Sequence, residues 1–192
     1  MLFRSNCYEA AKHAGVLEDK LLDQVKDEMA AIKPMPAVFD RQYVKRLDGP
    51  NVKKGKNKKD LANQLIADIR AFKAANRCDR VVVIWAGSTE IFMTEAPCHQ
   101  SLAAFEKGLE VSDPAIASSM IYAYAAISEG LPYGNAAPNL SAEVPALQEL
   151  AQKTGSPVCG NDMKTGQTLI KTIIAPGLKA RLIGVSGWYS TN

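Results

Sequence analysis

Apolar side chains recur every three or four positions in two segments of the N-terminal half, which is the spacing of the buried face of a helix. Residues 17–32 predict one helix, and it must end before Pro34 because proline has no amide hydrogen for a helix interior. Residues 60–76 predict a second helix, which the Asp60 side chain caps and which ends near Asn76. A long loop joins the two.

The C-terminal half contains three further helix signals. Asp113 and Pro114 predict an N-cap and a first helical position, and the helix that they start ends at Gly130. Another helix is predicted over 145–155, and a last one begins at the turn over 165–168 and ends at the Pro-Gly pair of 176–177.

Short apolar runs bounded by turn residues predict strands between these helices. Residues 81–85 form a continuous apolar, β-branched run that is typical of a strand buried on both faces, and further strand signals lie at 131–133, 157–159 and 181–186. Strands that alternate with helices predict a doubly wound α/β fold with a parallel sheet. In such a sheet, ligands bind where the C-terminal ends of the strands open into loops.

Three loops that follow these strands, 87–89, 135–139 and 160–168, carry residues suited to a ligand. Each also has a purely structural interpretation: Gly87 suits a turn, Asn135 is a frequent turn former and Trp85 suits a core. As a set at one edge of a sheet, however, they favour a shared binding crevice.

Residues 156–168 combine a strand signal, a turn with glycines and a helix start. The N–H groups in the first turn of a helix lack internal partners and attract anions, and Gly166 lets a ligand approach the backbone. Asp162 and Lys164 add an acceptor and a positive charge beside this turn. The residue order is not that of a P-loop, and a capped helix start without a ligand is the alternative.

The composition, 47% hydrophobic and 22% charged, predicts a soluble globular protein, and no apolar stretch is long enough to span a membrane. The four cysteines follow neither a disulfide nor a zinc spacing, so we expect reduced thiols, a cytoplasmic location and no metal site. Cys98 and His99 would need a third group to ligate a metal or form a nucleophile pair, and the sequence does not offer one.

Much of the net charge of +3 lies in the run KKGKNKK at 53–59. Nucleic-acid-binding surfaces usually interleave basic and aromatic side chains, and this run contains no aromatic residue. We therefore expect a solvated, mobile loop and no nucleic-acid partner.

Four motifs follow one another along the chain: YEAA at 8–11 with KPMP at 33–36, VVVIWAGSTE at 81–90, GLPYGN at 130–135 followed by Pro138 and Asn139, and GNDMKTGQT at 160–168. Together they resemble the motifs of the myo-inositol-phosphate synthases, also called inositol-3-phosphate synthases. The resemblance extends from about residue 6 to residue 192. Four motifs in the same order are far more specific than any one of them.

The resemblance implies a Rossmann-like domain that binds NAD, and glucose 6-phosphate as the substrate. In this family NAD oxidises a carbon of the substrate, enolisation and an intramolecular aldol closure follow, and the hydride then returns, so that inositol 3-phosphate forms without net oxidation. The resemblance also implies that the full-length protein is a homo-oligomer, namely a tetramer.

The resemblance implies roles for three sets of residues. The cofactor set is Ala86, Gly87, Ser88, Thr89, Asn135 and Asp162. The set that holds the substrate phosphate is Thr165, Gly166, Gln167 and Thr168. The catalytic set is Asp162 and Asn192.

Members of this family are considerably longer than 192 residues. No G-x-G-x-x-G fingerprint occurs in the chain, and the catalytic lysines of the family would follow Asn192. We therefore interpret the chain as an internal fragment that is inactive alone, with residues 1–5 set aside as a cloning scar. Residues 6–168 would form part of the NAD-binding domain, and 169–192 would begin an α+β oligomerisation domain.

Two other classes of function stay open. A non-catalytic nucleotide-binding or assembly module would keep these loops but lack the catalytic lysines. A different NAD-dependent dehydrogenase or lyase would form net NADH with its substrate.

Overall fold

The computed structural model describes residues 6–162 and 166–186, and for 166–169 it describes the backbone alone. The helices are α1 (Cys7–Ala14), α2 (Asp19–Gln24), α3 (Lys26–Ala31), α4 (Lys58–Ala75), α5 (Leu102–Val111), α6 (Ser118–Ser128), α7 (Pro145–Thr154) and α8 (Gly166–Ala180). The strands are β1 (Val83–Trp85), β2 (Tyr133–Asn135) and β3 (Val158–Cys159), and a short 3₁₀ helix spans Pro97–His99. In this part of the chain, no helix is long and apolar enough to cross a membrane.

The three strands form a parallel sheet in the order β1-β2-β3, which confirms the predicted α/β class. Val83 pairs with Tyr133, and Tyr133 pairs with Val158, so β2 is central. Helices α5 and α6 lie between β1 and β2 in the sequence, and α7 lies between β2 and β3. These crossovers are what parallel strands require.

The core lies between one face of the sheet and helices α4 to α7. Helix α6 is central, since it packs against α4, α7, β1 and β2, and nine of its eleven residues are buried. Helix α5, which the sequence analysis did not predict, contributes the fully buried side chains Phe105 and Leu109 and is capped by Ser101.

The prediction that the first strand is buried on both faces is wrong. Trp85 points into the core, but Val82 is 61% exposed and Ile84 is 54% exposed. The reason is that β1 is an edge strand of the described sheet, and Ile84 lies on the face opposite to helices α4 to α7. The strand also begins at Val83, two residues later than predicted.

The predicted helix over 17–32 is divided into α2 and α3 at Val25, whose φ is −119°. The apolar stripe that predicted one helix is largely exposed, including Leu17, Leu21 and Ile32. Leu22 is the residue that this segment buries, so no continuous packing surface holds one straight helix together.

Two predicted helix caps are also displaced. Helix α4 begins at Lys58, and its cap is Asn57, whose Oδ1 accepts a hydrogen bond of 2.9 Å from the Asp60 backbone N–H. Helix α6 begins at Ser118, because the Asp113 carboxylate accepts from the Ala115 backbone N–H and closes a local turn instead.

Helix α8 continues through Pro176 to Ala180, beyond its predicted end. It is closed by Leu182, which has a φ of 55°, and by a hydrogen bond of 3.0 Å from the Ile183 N–H to the Leu178 carbonyl. The strand predicted over 181–186 is therefore wrong, since its first residues form this turn and described residues 183–186 pair with no strand. The domain division at 168/169 lies within α8 and stays a prediction.

The basic run at 53–59 is the predicted solvated loop only at 54–56, which are exposed, whereas its ends are held by the fold. Lys53 Nζ lies 2.8 Å from an Asp68 carboxylate oxygen. Lys59 Nζ lies 3.1 Å from a Glu106 carboxylate oxygen, and Lys58 is buried at the start of α4. Three lysines of the run therefore anchor it to neighbouring helices.

Candidate functional site

All three strands end at the same edge of the sheet, because they are parallel and in register. They end at Trp85, Asn135 and Cys159, so the loops that begin at Ala86, Ala136 and Gly160 leave from one edge. The expectation that the flagged loops share an edge is confirmed.

The second and third loops are in direct contact. Gly160 has a φ of 136°, and a Cβ atom built on it would lie 2.7 Å from the Asn135 carbonyl oxygen. Glycine is therefore required for this close approach. The Asp162 backbone N–H donates a hydrogen bond of 3.2 Å to the Ala137 carbonyl, which brings Asp162 beside the loop that follows Asn135.

A cavity of about 550 Å³ opens beside β1 at this edge. Of the cofactor set, Ala86, Gly87 and Ser88 line it, whereas Thr89, Asn135 and Asp162 do not. The remaining wall comes from β1, Glu90, α1, the loop over 38–48 and α6. The size is sufficient for part of a cofactor-sized ligand.

Gly87 lies over the indole ring of Trp85 in the wall of this cavity. A Cβ atom on Gly87 would lie 2.7 Å from Trp85 Cζ2, so the turn fits only because residue 87 has no side chain. The Trp85 Nε1–H is buried, and no described residue accepts a hydrogen bond from it. Trp85 thus has a buried donor without a described acceptor, beneath the turn at Gly87.

Glu90, which the sequence analysis did not select as a site residue, is the buried acid of this edge. Its carboxylate accepts hydrogen bonds from the Ser119 backbone N–H at 2.9 Å and from Ser119 Oγ at 2.6 Å. Burial raises the pKa of the Glu90 carboxyl above its usual value. The sequence feature that could have identified Glu90 is its place as a single acidic residue between the turn after β1 and the apolar run at 91–93.

The side chain of Asn135 is used within its own loop. Its Oδ1 accepts from the Ala137 N–H at 3.1 Å, and its Nδ2 donates to the Asn139 carbonyl at 2.8 Å. The Asn139 Oδ1 in turn accepts from the Glu90 N–H at 2.8 Å, while its buried Nδ2 has no described partner. Asn135 therefore forms the turn, as its structural interpretation in the sequence predicted, and Asn139 joins the loops after β1 and β2.

Residues 2–183 match the family model described as myo-inositol-1-phosphate synthase. The chain belongs to this family. Its match to the family model covers both the cavity and the three loops of the sheet edge.

Several relatives within the family are similar over nearly all of the chain. Inositol-3-phosphate synthase 1 of Bacteroides thetaiotaomicron is 50% identical over 192 residues, which is 100% of this chain and 45% of that protein. The inositol-3-phosphate synthase of Saccharomyces cerevisiae is 30% identical over 183 residues, covering 89% of this chain and 34% of that protein. The chain thus spans less than half the length of these relatives.

A solved relative has the same fold. The crystal structure of inositol-3-phosphate synthase from Caenorhabditis elegans superposes with a TM-score of 0.78 at 29% identity, covering 92% of this chain and 36% of that one. This agreement supports the parallel α/β arrangement of the described residues.

The turn that would hold a phosphate in this family is described in part. Helix α8 begins at Gly166, as the sequence predicted, and the N–H groups of its first turn have no partner within the helix. Thr165 and Asn192 lie outside the described residues, and the side chains of Gln167 and Thr168 are not described.

Cys98 and His99 do not line the cavity, and both are buried. The Ala96 N–H donates to His99 Nδ1 at 3.1 Å, and His99 Nε2 donates to the Ala115 carbonyl at 3.0 Å. Burial raises the pKa of the Cys98 thiol to about 11, so it is a poor nucleophile at neutral pH. Within 6–162 and 166–186, no three His, Cys, Asp or Glu residues are grouped to hold a metal ion.

Proposed function

We propose that the full natural protein that contains these 192 residues is an inositol-3-phosphate synthase, which converts glucose 6-phosphate into inositol 3-phosphate with NAD. The observation that carries the proposal is 50% identity, over the whole chain, to the inositol-3-phosphate synthase 1 of Bacteroides thetaiotaomicron. The shared sheet edge, with its cavity and three converging loops, supports it.

The residues at the edge fit the nicotinamide half of NAD. Ala86, Gly87 and Ser88 line a cavity of about 550 Å³, and their backbone N–H and C=O groups would bind polar atoms of the cofactor. Bound NAD would accept a hydride from a sugar carbon and return it after the ring has closed. The largely apolar wall of the cavity would limit the access of water during that exchange.

The substrate would lie beside the loops that follow β2 and β3. The exposed Asp162 carboxylate is available to orient a hydroxyl group or the carboxamide of the cofactor. Thr165 and the N–H groups of Gly166, Gln167 and Thr168 would hold the phosphate at the N-terminus of α8. Asn192 would complete the site.

We further propose that the protein is a cytoplasmic homo-oligomer, a tetramer when complete, with neither nucleic acid nor a membrane as partner. The exposed apolar residues of α8, Ile170, Ile173 and Ile174, support an interface there.

The test is a product assay with the purified full natural protein, glucose 6-phosphate and NAD at a concentration far below that of the substrate. We expect many equivalents of inositol 3-phosphate per NAD and no net NADH, measured by ³¹P NMR and by absorbance at about 340 nm. Net NADH formation would instead support a dehydrogenase. NAD binding without turnover would support a non-catalytic module.

The phosphate turn has its own test in the same protein. Thr165→Ala should raise the KM for glucose 6-phosphate about tenfold, because a hydrogen bond to a charged group is lost. Thr172→Ala, the same change farther along α8, should leave the KM unchanged. Unchanged KM and kcat in Thr165→Ala would remove the assigned role.

A further inference from the structure

Glu90 is the buried node of a polar network that joins the first two loops of the sheet edge and reaches the third loop through the exposed Glu143 and Asn161. Its carboxylate binds the N-terminus of α6 through the backbone N–H and the hydroxyl of Ser119, at 2.9 and 2.6 Å. Its own backbone N–H donates to Asn139 Oδ1 in the second loop at 2.8 Å. Glu90 is 6% exposed, and Ser119 is fully buried.

The network continues from Ser119 to the third loop. The Tyr133 hydroxyl donates to the Ser119 carbonyl at 3.3 Å and lies 3.0 Å from Ser141 Oγ. The Ser141 N–H donates to one oxygen of the Glu143 carboxylate, and Asn161 Nδ2 donates to the other at 3.2 Å. One chain of hydrogen bonds thus extends from Glu90, beside the cavity, to the loop that contains Asp162.

A buried carboxylate is an expensive way to begin a helix. An exposed serine or threonine caps a helix start without burying a charge, and a well-packed apolar residue would cost less at this depth. Buried polar groups whose hydrogen bonds are satisfied fix one arrangement of the segments that they join. Here the segments joined are the loop over 86–90 and the starts of α6 and of the second loop.

We propose that Glu90 is a positioning residue, which holds Gly87 and Ser88 against the cavity in the conformation that receives the nicotinamide ribose. This inference rests on the proposed function, since it takes NAD as the ligand of the cavity. Glu90 would act through the loop and not by touching the reacting atoms.

The test compares the affinities of NAD and ADP for variants of the full natural protein, by calorimetry well below each melting temperature. ADP shares the adenosine and diphosphate of NAD but lacks the nicotinamide ribose. Glu90→Ala should weaken NAD binding about tenfold and leave ADP affinity unchanged. Glu90→Gln should restore most of the NAD affinity, because its amide can bridge the same groups. Glu110→Ala, an exposed change on α5, is the control.

Each outcome is decisive. If the unsubstituted protein does not bind NAD, the proposed function fails and this inference fails with it. If that protein binds NAD but Glu90→Ala binds it as tightly, or loses NAD and ADP affinity in parallel, only the positioning role fails. Should Glu90→Ala not fold, Ser119→Ala removes one donor to the carboxylate and should weaken NAD, but not ADP, about threefold.

Discussion

At Gly87 the missing side chain makes room for the indole ring of Trp85, and in the proposed function it also lets NAD approach the backbone. In Gly87→Ala, the added Cβ would lie 2.7 Å from Trp85 Cζ2, so the ring or the loop must move. We expect a loss of about 1–3 kcal/mol in stability and weaker NAD binding in the full natural protein, measured by urea unfolding and calorimetry. Gly177→Ala, where a Cβ meets open space, is the control.

A second substitution separates the two effects of Gly87→Ala. In a Trp85→Leu background the added methyl group has room, so its cost in stability should become smaller. In the same Trp85→Leu protein, Gly87→Ala should still weaken NAD binding if the cofactor approaches the backbone of residue 87. If Gly87→Ala lowered neither the stability nor the NAD affinity of the Trp85→Leu protein, Gly87 would serve only the packing of the indole ring.

His99 should make stability depend on pH. It is neutral with the proton on Nε2, since Nδ1 accepts from the Ala96 N–H, and burial lowers its pKa below the usual value. As pH falls below about 6.5, the unfolded chain binds a proton that the folded chain does not, so stability decreases. Melting temperatures between pH 5 and 8 should show this slope.

A pair of histidine substitutions tests this assignment, with His13 as the control for His99. His99→Gln can keep both hydrogen bonds, with its carbonyl accepting and its amide donating, and should flatten the slope. His13→Gln, an exposed change on α1, should retain the slope. Equal slopes in the His99→Gln and unsubstituted proteins would contradict the assignment.

At the scale of elements, the sequence predicted those with local signals of their own. Helix α7 has a proline at its first position and Gly155 with a φ of 67° at its end, and it lies where predicted. Helix α5 was missed because small residues, Ala103, Ala104 and Gly108, weaken its apolar periodicity. Helix α8 was misjudged because its closing turn uses Leu182 instead of a glycine.

The sheet edge could be predicted because parallel strands place their C-terminal loops together, whatever the details of the side chains. The polar network around Glu90 could not be predicted from the sequence. Glu90 meets Ser119, which lies 29 residues farther along the chain, and only the tertiary packing of α6 on the sheet brings them together. Local patterns carry no information about such a contact.

Lys58 joins three elements, and its removal should be costly. Its Nζ donates to Tyr43 Oη, the Asp113 carbonyl and the Ile116 carbonyl, each at 2.7 Å, and burial lowers its pKa. Lys58→Met should destabilise the full natural protein by about 3 kcal/mol or more in urea unfolding, because each buried acceptor left without a donor costs about 1–3 kcal/mol. Lys56→Met, at an exposed position, should change stability little.

At the scale of the whole molecule, the described chain leaves apolar surface uncovered. Val83 and Trp85 bond to β2, so the N–H and C=O of Ile84 point away from it at a free edge. Val82 and Ile84 are more than half exposed along this edge, and Leu182 is 95% exposed beyond α8. Exposed strand edges of this kind promote association.

Purified residues 1–192 should therefore self-associate. Light scattering after size exclusion should show a mass that rises with concentration. A Val82→Lys/Ile84→Lys variant should reduce this rise, because lysines on an edge strand oppose edge-to-edge pairing. Phe92→Lys, at a position that is more exposed but lies outside the sheet, should reduce it less. A monomer at every concentration would show that this strand edge does not drive association.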